Sequence, residues 1–99
     1  MKKRFIVSTN LATNQQNEAF KTFIRANNFG WWRWLIGTWL IIDWTGQWDV
    51  GSIRDALQVT CPGVNCLVIE VPRGDTWAGF GTTADPHNMF RWIENYWDT

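Results

Sequence analysis

Few side chains of this sequence are spaced for catalysis. No Ser, His and Asp set and no phosphate-loop pattern stands out, and His87 is the single histidine. It follows Pro86 in what reads as the first turn of a helix, where it could act as a base or contact a phosphate, although such a residue is more often simply solvated. Asp43, Asp49 and Asp55 would bind magnesium only if their loops converged. We therefore predict a binding module rather than an enzyme.

The two cysteines, Cys61 and Cys66, are separated by four residues. A structural zinc ion normally takes four ligands, and two thiols with one histidine supply too few. In a cytoplasmic protein such a pair usually stays reduced. We expect two free, partly buried thiols beside a turn, with no metal ion and no cofactor.

Tryptophan carries most of the binding chemistry, because six of the nine tryptophans fall within residues 31–48. The aromatic and β-branched residues of this stretch favour strands, and Gly37 and Thr38 interrupt two apolar runs. The stretch therefore predicts a β-hairpin whose side chains alternate between the two faces of a sheet.

An unpaired carboxylate is costly to bury, so we expect the side of the second hairpin strand that carries Asp43 to be an open face of the sheet. The expected members of this open face are Trp39, Ile41 and Asp43, with Trp31 and Arg33 from the first hairpin strand beside them. The opposite side, which we expect beneath helices, holds Leu40, Ile42 and Trp44.

Outward tryptophans have two common uses, burial in a core and contact between subunits. A more specific use is base stacking, in which aromatic rings hold the bases and arginine holds the phosphates. The candidate ligand-binding residues are Trp31, Arg33, Trp39, Asp43, Arg73, Trp77 and His87.

Charge limits the class of partner. Nine Lys and Arg residues balance nine Asp and Glu residues, so the field that attracts proteins to duplex DNA is missing, while a nucleotide or a short single strand stays possible. The basic start, residues 1–4, precedes an apolar stretch too short for an export signal. The longest nearly apolar run, residues 31–42, is too short to cross a membrane. We expect a cytoplasmic protein with no membrane partner.

The remaining pattern predicts one α+β domain over residues 1–99. The expected elements are a strand at 4–10, a helix at 18–26 with caps within 13–17, hairpin strands at 29–34 and 39–44, a helix at 49–59, a strand at 66–71 and an appended C-terminal helix at 85–97. Asp49 or Ser52 is expected to cap the second helix. The strand at 66–71 is the most apolar, so we expect it either at the centre of the sheet or packed on both of its faces. The order is that of a ferredoxin-like βαββαβ antiparallel sheet with helices on one face.

Several segments resemble the small SinR-type proteins, which in turn resemble the ferredoxin-like subunit of CRISPR spacer acquisition and the VapD toxins. The segments are residues 4–11, the hairpin at 31–42, residues 53–57, and residues 67–71 followed by 77–80. This resemblance implies a homodimer formed through sheet faces or edges. In the nuclease members it also implies a metal-bound acidic residue at the end of the first strand.

That acidic position is occupied by Asn10 here, and the tyrosine that commonly precedes it is Thr9. A neutral amide cannot replace the charge of a carboxylate on a hard divalent cation. Our hypothesis is a non-catalytic homodimer, of phage or mobile-element origin, that binds or sequesters a nucleotide or short nucleic acid through an aromatic surface. The alternatives are a protein-interaction module or inhibitor of a host factor, and a metal-dependent ribonuclease that uses Asp43 or Asp49.

Overall fold

The computed structural model of the chain describes residues 1–98. Its strands are β1 (Lys3–Thr9), β2 (Gly30–Leu35), β3 (Thr38–Asp43) and β4 (Cys66–Val71), and its longer helices are α1 (Asn14–Ala26) and α2 (Val50–Thr60). Over the described residues, these strands form one antiparallel sheet in the order β2-β3-β1-β4. The predicted α+β class and the antiparallel sheet are confirmed.

Both helices begin where the sequence places a cap. Thr13 and Gln16 form a reciprocal capping box at the start of α1, and Asp49 and Ser52 form another at the start of α2. Each box satisfies backbone N–H groups that have no partner within the helix. The chain leaves α1 through Asn28, whose φ of 56° is the left-handed conformation that asparagine tolerates.

The helices cover one face of the sheet, and that face is the one that carries Trp39. The side chains of Trp39 and Ile41 are fully buried against Phe20 and Ile24 of α1 and against residues of α2. The expected assignment of Trp39, Ile41 and Asp43 to an open face is therefore wrong, as is the assignment of Leu40 and Ile42 to the helix-covered side.

The two faces were exchanged because Asp43 was expected to be exposed. Its position at the end of β3 instead gives its buried carboxylate several hydrogen-bond donors. Its carboxylate accepts hydrogen bonds from the backbone N–H groups of Thr45 and Trp48, at 3.0 and 2.8 Å, and from the Thr45 hydroxyl at 2.6 Å. A buried carboxylate with several donors costs far less than an unpaired one. Asp43 thus ties the end of β3 to the turn that leads into α2.

The second face of the sheet is covered by the C-terminal segment. Met89, Ile93 and Trp97 pack against Trp32 and Ile42 and form a second buried cluster. The predicted helix at 85–97 is too long, because residues 85–90 lie in turns and the helical part begins at residue 91 and runs into a π-helical turn, Ile93–Trp97. None of the helices within residues 1–98 is long and apolar enough to span a membrane.

Of the two expected placements of β4, the central one is wrong, because among residues 1–98 β4 pairs only with β1 and lies at an edge of the sheet. Packing on both faces is confirmed, since Val68 contacts the helix-covered core and Val71 contacts the cluster on the second face. The apolar side chains of β4 are divided between the faces: Val68 packs into the helix-covered core, whereas Leu67 and Ile69 are largely exposed on the second face. Hydrophobicity alone therefore does not distinguish a central strand from an apolar edge.

Candidate functional site: a cationic and aromatic cleft

The sequence-predicted aromatic site does not assemble as a single surface. Trp39 and Asp43 are each 1% exposed, so neither side chain presents a surface to a ligand. Arg33 lies over the ring of Trp39, 5.0 Å from its centroid, where it extends the core as a cation–π contact.

Trp31 remains half-exposed at the edge of this region. The ammonium group of Lys21 lies 5.5 Å from its ring centroid, and the guanidinium of Arg25 lies 5.9 Å away. Two cations therefore already occupy the surroundings of the ring on which a base would have to stack. His87 is exposed in the turns at 85–90, in a different part of the chain from Trp31.

Arg73 and Trp77, which are also among the predicted ligand residues, do come together. Trp77 lines one pocket and Arg73 lines a neighbouring one, and the two pockets share Arg4, Gly74 and Asp98. Together they form a cleft where the segment after β4 meets the start of β1 and the C-terminal turn. Its larger part has a volume of about 360 Å³. The lining residues include Lys2, Arg4, Arg73, Asp75, Trp77, Trp97 and Asp98.

Arg4 builds this cleft. Its Nη1 atom lies 2.7 Å from a carboxylate oxygen of Asp75 and donates a hydrogen bond to the carbonyl of Trp97 at 3.0 Å. Its Nη2 atom donates to the carbonyl of Pro72. Since Arg4 is almost fully buried and its charge is paired, it acts as a structural clasp between β1, the segment after β4 and the C-terminal turn.

Two tryptophans that line the cleft, Trp77 and Trp97, are each hydrogen-bonded to one of its carboxylates. The indole N–H of Trp97 donates to Asp75 at 3.2 Å, and that of Trp77 donates to Asp98 at 3.1 Å. Trp77 is also stacked on Phe90, with ring centroids 5.6 Å apart and planes inclined by 25°. The ring of Trp77 is thus fixed in orientation while part of it faces the cleft.

Two glycines allow this segment to lie close to the C-terminal turn. A Cβ atom at Gly79 would lie 2.5 Å from the ring of Phe90, and one at Gly81 would lie 2.2 Å from the sulfur of Met89. Gly74 has a φ of 84°, the left-handed conformation that glycine adopts in a turn, whereas Gly79 and Gly81 are needed for close packing.

Positive charge is concentrated at the mouth of the cleft. Burial lowers the pKa of Lys2 below its ordinary value of 10.5, and the guanidinium groups of Arg4 and Arg73 lower it further. The ammonium of Lys2 donates to the carbonyl of Tyr96 at 2.8 Å and lies 5.5 Å from the ring centroid of Trp44. An anion placed near Lys2 and Arg73 would relieve the repulsion among these cations.

Sequence reasoning missed Lys2 and Arg4, because the basic start of the chain was compared only with an export signal. Residues two apart on a strand point to the same face, so Lys2 and Arg4 share the face that the C-terminal segment covers. The sequence feature that could have identified them is Arg4 itself, a charged residue at the start of an otherwise apolar strand.

The position that the resemblance assigns to catalysis lies elsewhere. Asn10 follows β1 and borders a shallow cavity of about 300 Å³ whose other lining residues are Ser8, Thr9, Asn65, Cys66 and Leu67. No carboxylate is among them. The Asn10 backbone N–H donates to the carbonyl of Asn65 at 3.0 Å, which continues the pairing of β1 with β4.

The other acidic candidates are committed to local structure. Burial raises the pKa of Asp43, but the hydrogen bonds from Thr45, Trp48 and Gly46 outweigh it and hold the pKa below its ordinary value. Hydrogen bonds from Ser52 lower the pKa of Asp49 at the start of α2. Among residues 1–98, no three or more His, Cys, Asp and Glu side chains are grouped to hold a metal ion. Cys61 and Cys66 are both free thiols.

No family model, curated protein or solved structure matches the chain. The side chains of the cleft offer Lys2 and Arg73 to an anion, a fixed indole to a planar ring, and carboxylates to polar N–H or O–H groups.

Proposed function

We propose that the protein is a non-catalytic binding module that holds a nucleotide, or the end of a short single strand, in the cleft beside Trp77. The observation that carries this proposal is that the pocket beside the indole of Trp77 and the pocket lined by Arg73 and Lys2 are neighbours that share Arg4, Gly74 and Asp98. Phosphate oxygens would accept hydrogen bonds from the two cations, and the base would extend the stack already formed by Trp77 and Phe90.

The size and charge of the cleft favour a small ligand. A cavity of about 360 Å³ is at the lower end of the range typical of small-molecule sites. Asp75 and Asp98 also line it, and they would repel a long run of phosphates. A ligand with one anionic end and one planar end fits this distribution better than a polynucleotide track does.

The fold and the subunit arrangement belong to the same proposal. We infer a ferredoxin-like domain, which the strand order β2-β3-β1-β4 and the placement of α1 and α2 on one face support. Together with the resemblance to the SinR-type proteins, this favours a homodimer in the cytoplasm, encoded by a phage or mobile element. The neutral residues around Asn10 favour binding without phosphodiester cleavage.

The test is a calorimetric titration of the protein with linear and cyclic mononucleotides, dinucleotides and short oligomers. We expect a dissociation constant below about 1 mM for at least one nucleotide, and an affinity about tenfold weaker in Arg73→Ala, because a charge-assisted hydrogen bond is lost. Trp77→Leu should weaken binding by a similar factor through lost stacking.

Arg25→Ala is the matched control, because it removes the same charge beside a different tryptophan, Trp31. Its affinity should equal that of the unchanged protein. Weaker binding in Arg25→Ala with unchanged binding in Arg73→Ala would move the site to Trp31 and contradict the proposal, as would the absence of binding by every nucleotide up to about 1 mM.

A further inference from the structure

The two edge strands of the sheet, β2 and β4, differ in the regularity of their pairing. At the β2 edge, the register with β3 shifts between Trp32 and Leu35, and such a bulge twists a strand away from further pairing. At the β4 edge, the register with β1 is unbroken from Cys66 to Val71. A regular, apolar edge strand is a template for another strand.

The alternation of hydrogen bonds between β4 and β1 shows which backbone N–H and C=O groups of β4 point away from the sheet. The bond from the Asn10 N–H to the Asn65 carbonyl belongs to the same register as the pairs Ser8↔Leu67 and Ile6↔Ile69. Hydrogen-bonded pairs alternate along an antiparallel ladder, so Leu67 and Ile69 bond to β1. The backbone N–H and C=O groups of the intervening residues therefore point away from the sheet; these residues are Cys66, Val68 and Glu70.

We propose that two copies of the chain join their β4 strands antiparallel about a two-fold axis at Val68. This inference rests on the homodimer in the proposed function and specifies its interface. Centring on Val68 places Cys66 opposite Glu70 of the second copy, so every outward-pointing residue of β4 pairs with another. The pairing stops before Pro72, which has no N–H to donate.

The same register covers the exposed apolar side chains. Leu67 and Ile69 are 60% and 48% exposed. With the two-fold axis perpendicular to the sheet, each face continues across the edge, so Leu67 lies opposite Ile69 of the second copy and the four side chains form one apolar cluster. The four-stranded sheets become one eight-stranded sheet.

Charge complementarity selects a second copy as the occupant. A groove of about 230 Å³ runs between α2 and β4, and Arg54 and Cys66 are among the residues that line it. Glu70 of the second copy lies opposite Cys66 and therefore faces this groove, which Arg54 also lines. The exposed guanidinium of Arg54 bonds to Asp55 through Nε and Nη2, and its Nη1 would donate to Glu70 of the second copy. The two-fold axis repeats this pair, so each interface contains two such contacts.

Analytical ultracentrifugation up to about 100 µM tests the interface through its charges. The unchanged chain should sediment at twice 11.6 kDa, and Glu70→Arg or Arg54→Glu should each weaken dimerisation at least tenfold. The combination of both reversals should restore the dimer. Glu94→Arg, which reverses the charge of an exposed residue in the C-terminal turn, should leave the dimer unchanged.

Disulfide trapping tests the register. In Glu70→Cys, the new thiol should lie opposite native Cys66 of the second copy, at a Cα separation of about 5.5 Å that a disulfide can bridge. Mild oxidation should therefore give a covalent dimer, and Cys66→Ser added to this variant should abolish it.

A dimer that is insensitive to both charge reversals and is not trapped by Glu70→Cys would overturn this interface while leaving the homodimer standing. A chain that stays monomeric at about 100 µM would overturn both, and a monomeric chain whose β4 edge pairs with a strand of another protein would do so as well. Nucleotide titration of Glu70→Arg reports separately on the cleft, because the cleft of each copy is lined by residues of that copy alone.

Discussion

The two faces of the sheet are closed by different means. On the first face, α1 and α2 lay amphipathic surfaces over Phe5, Val7, Trp39 and Ile41, and each helix begins with its own capping box. On the second face, a segment that contains little regular structure is fixed by side-chain hydrogen bonds from the sheet. Arg4 bonds to the carbonyl of Trp97, and the indole of Trp32 donates to the carbonyl of Met89 at 2.7 Å.

This difference separates two sources of stability. The first face is closed mainly by burial of apolar area, which is cooperative across the whole domain. The second face buries a smaller apolar cluster and adds a few polar anchors, so we expect it to open locally at a lower free energy than global unfolding. The candidate cleft lies on the second face, where side chains can adjust to a ligand without loss of the main core.

Replacement of Trp39 by alanine should produce the largest effect. The side chain is fully buried between the sheet and Phe20, whose ring meets it edge-on at 5.1 Å, so its loss should destabilise the domain by about 3–5 kcal/mol. Denaturant unfolding followed by far-UV circular dichroism measures this change. Trp97→Ala, which removes an equally large side chain from the second face, should cost less; an equal or greater cost would contradict the distinction between the faces.

Arg4→Met should cost about 3 kcal/mol, because it leaves the carboxylate of Asp75 without its paired cation and the carbonyls of Pro72 and Trp97 without the Arg4 donor. The loss should be concentrated on the second face. Hydrogen exchange should therefore accelerate at residues 89–98 and stay slow in α1 and α2. Uniform acceleration over the whole domain would show that the two faces unfold as one unit.

Asp43→Asn tests the polar connection at the end of β3 and should cost about 1–2 kcal/mol at pH 7. The amide nitrogen would face the N–H donors of Thr45 or Trp48, so at least one hydrogen bond to a charged acceptor is lost. The folded pKa of Asp43 lies below the ordinary value of 3.8. Its stabilisation is therefore complete above that value and is lost as the pH falls through the folded pKa.

The pH dependence supplies the check on this assignment. Unfolding measured from pH 7 downwards should show the unchanged chain and Asp43→Asn converging in stability once the pH falls below about 4. A stability difference that persists unchanged in acid would mean that the charge of Asp43 contributes nothing.

Local features of the fold were predictable, because they depend on short-range chemistry. The caps at Thr13 and Asp49 and the reversal at Gly37 follow from hydrogen-bonding capacity and backbone freedom at single positions. Alternation also grouped Trp39, Ile41 and Asp43 correctly on one side of β3. Which side faces the helices was not predictable in this way, because alternation is symmetric and Asp43 is satisfied by backbone donors that lie outside the strand.

The cleft required contacts that are distant in the sequence. Arg73 and Trp77 were predicted as ligand residues separately, but the structure joins them through Arg4, which lies more than ninety positions from Trp97. No local pattern encodes such a pairing. Lys2 and Arg4 could have been assigned to one face by alternation, yet the apolar period of the C-terminal segment does not reveal which face of the sheet that segment covers.

The contact between Arg4 and the Trp97 carbonyl, which are far apart in the sequence, also limits the order in which the chain can fold during synthesis. The helix-covered core needs residues only as far as β4, so it can close while later residues are still within the ribosome. The second face, with Ile42 and Trp32 on its surface, stays uncovered until residues 89–97 emerge and Arg4 finds the Trp97 carbonyl. Until then the apolar side chains of the second face have no cover from the C-terminal segment.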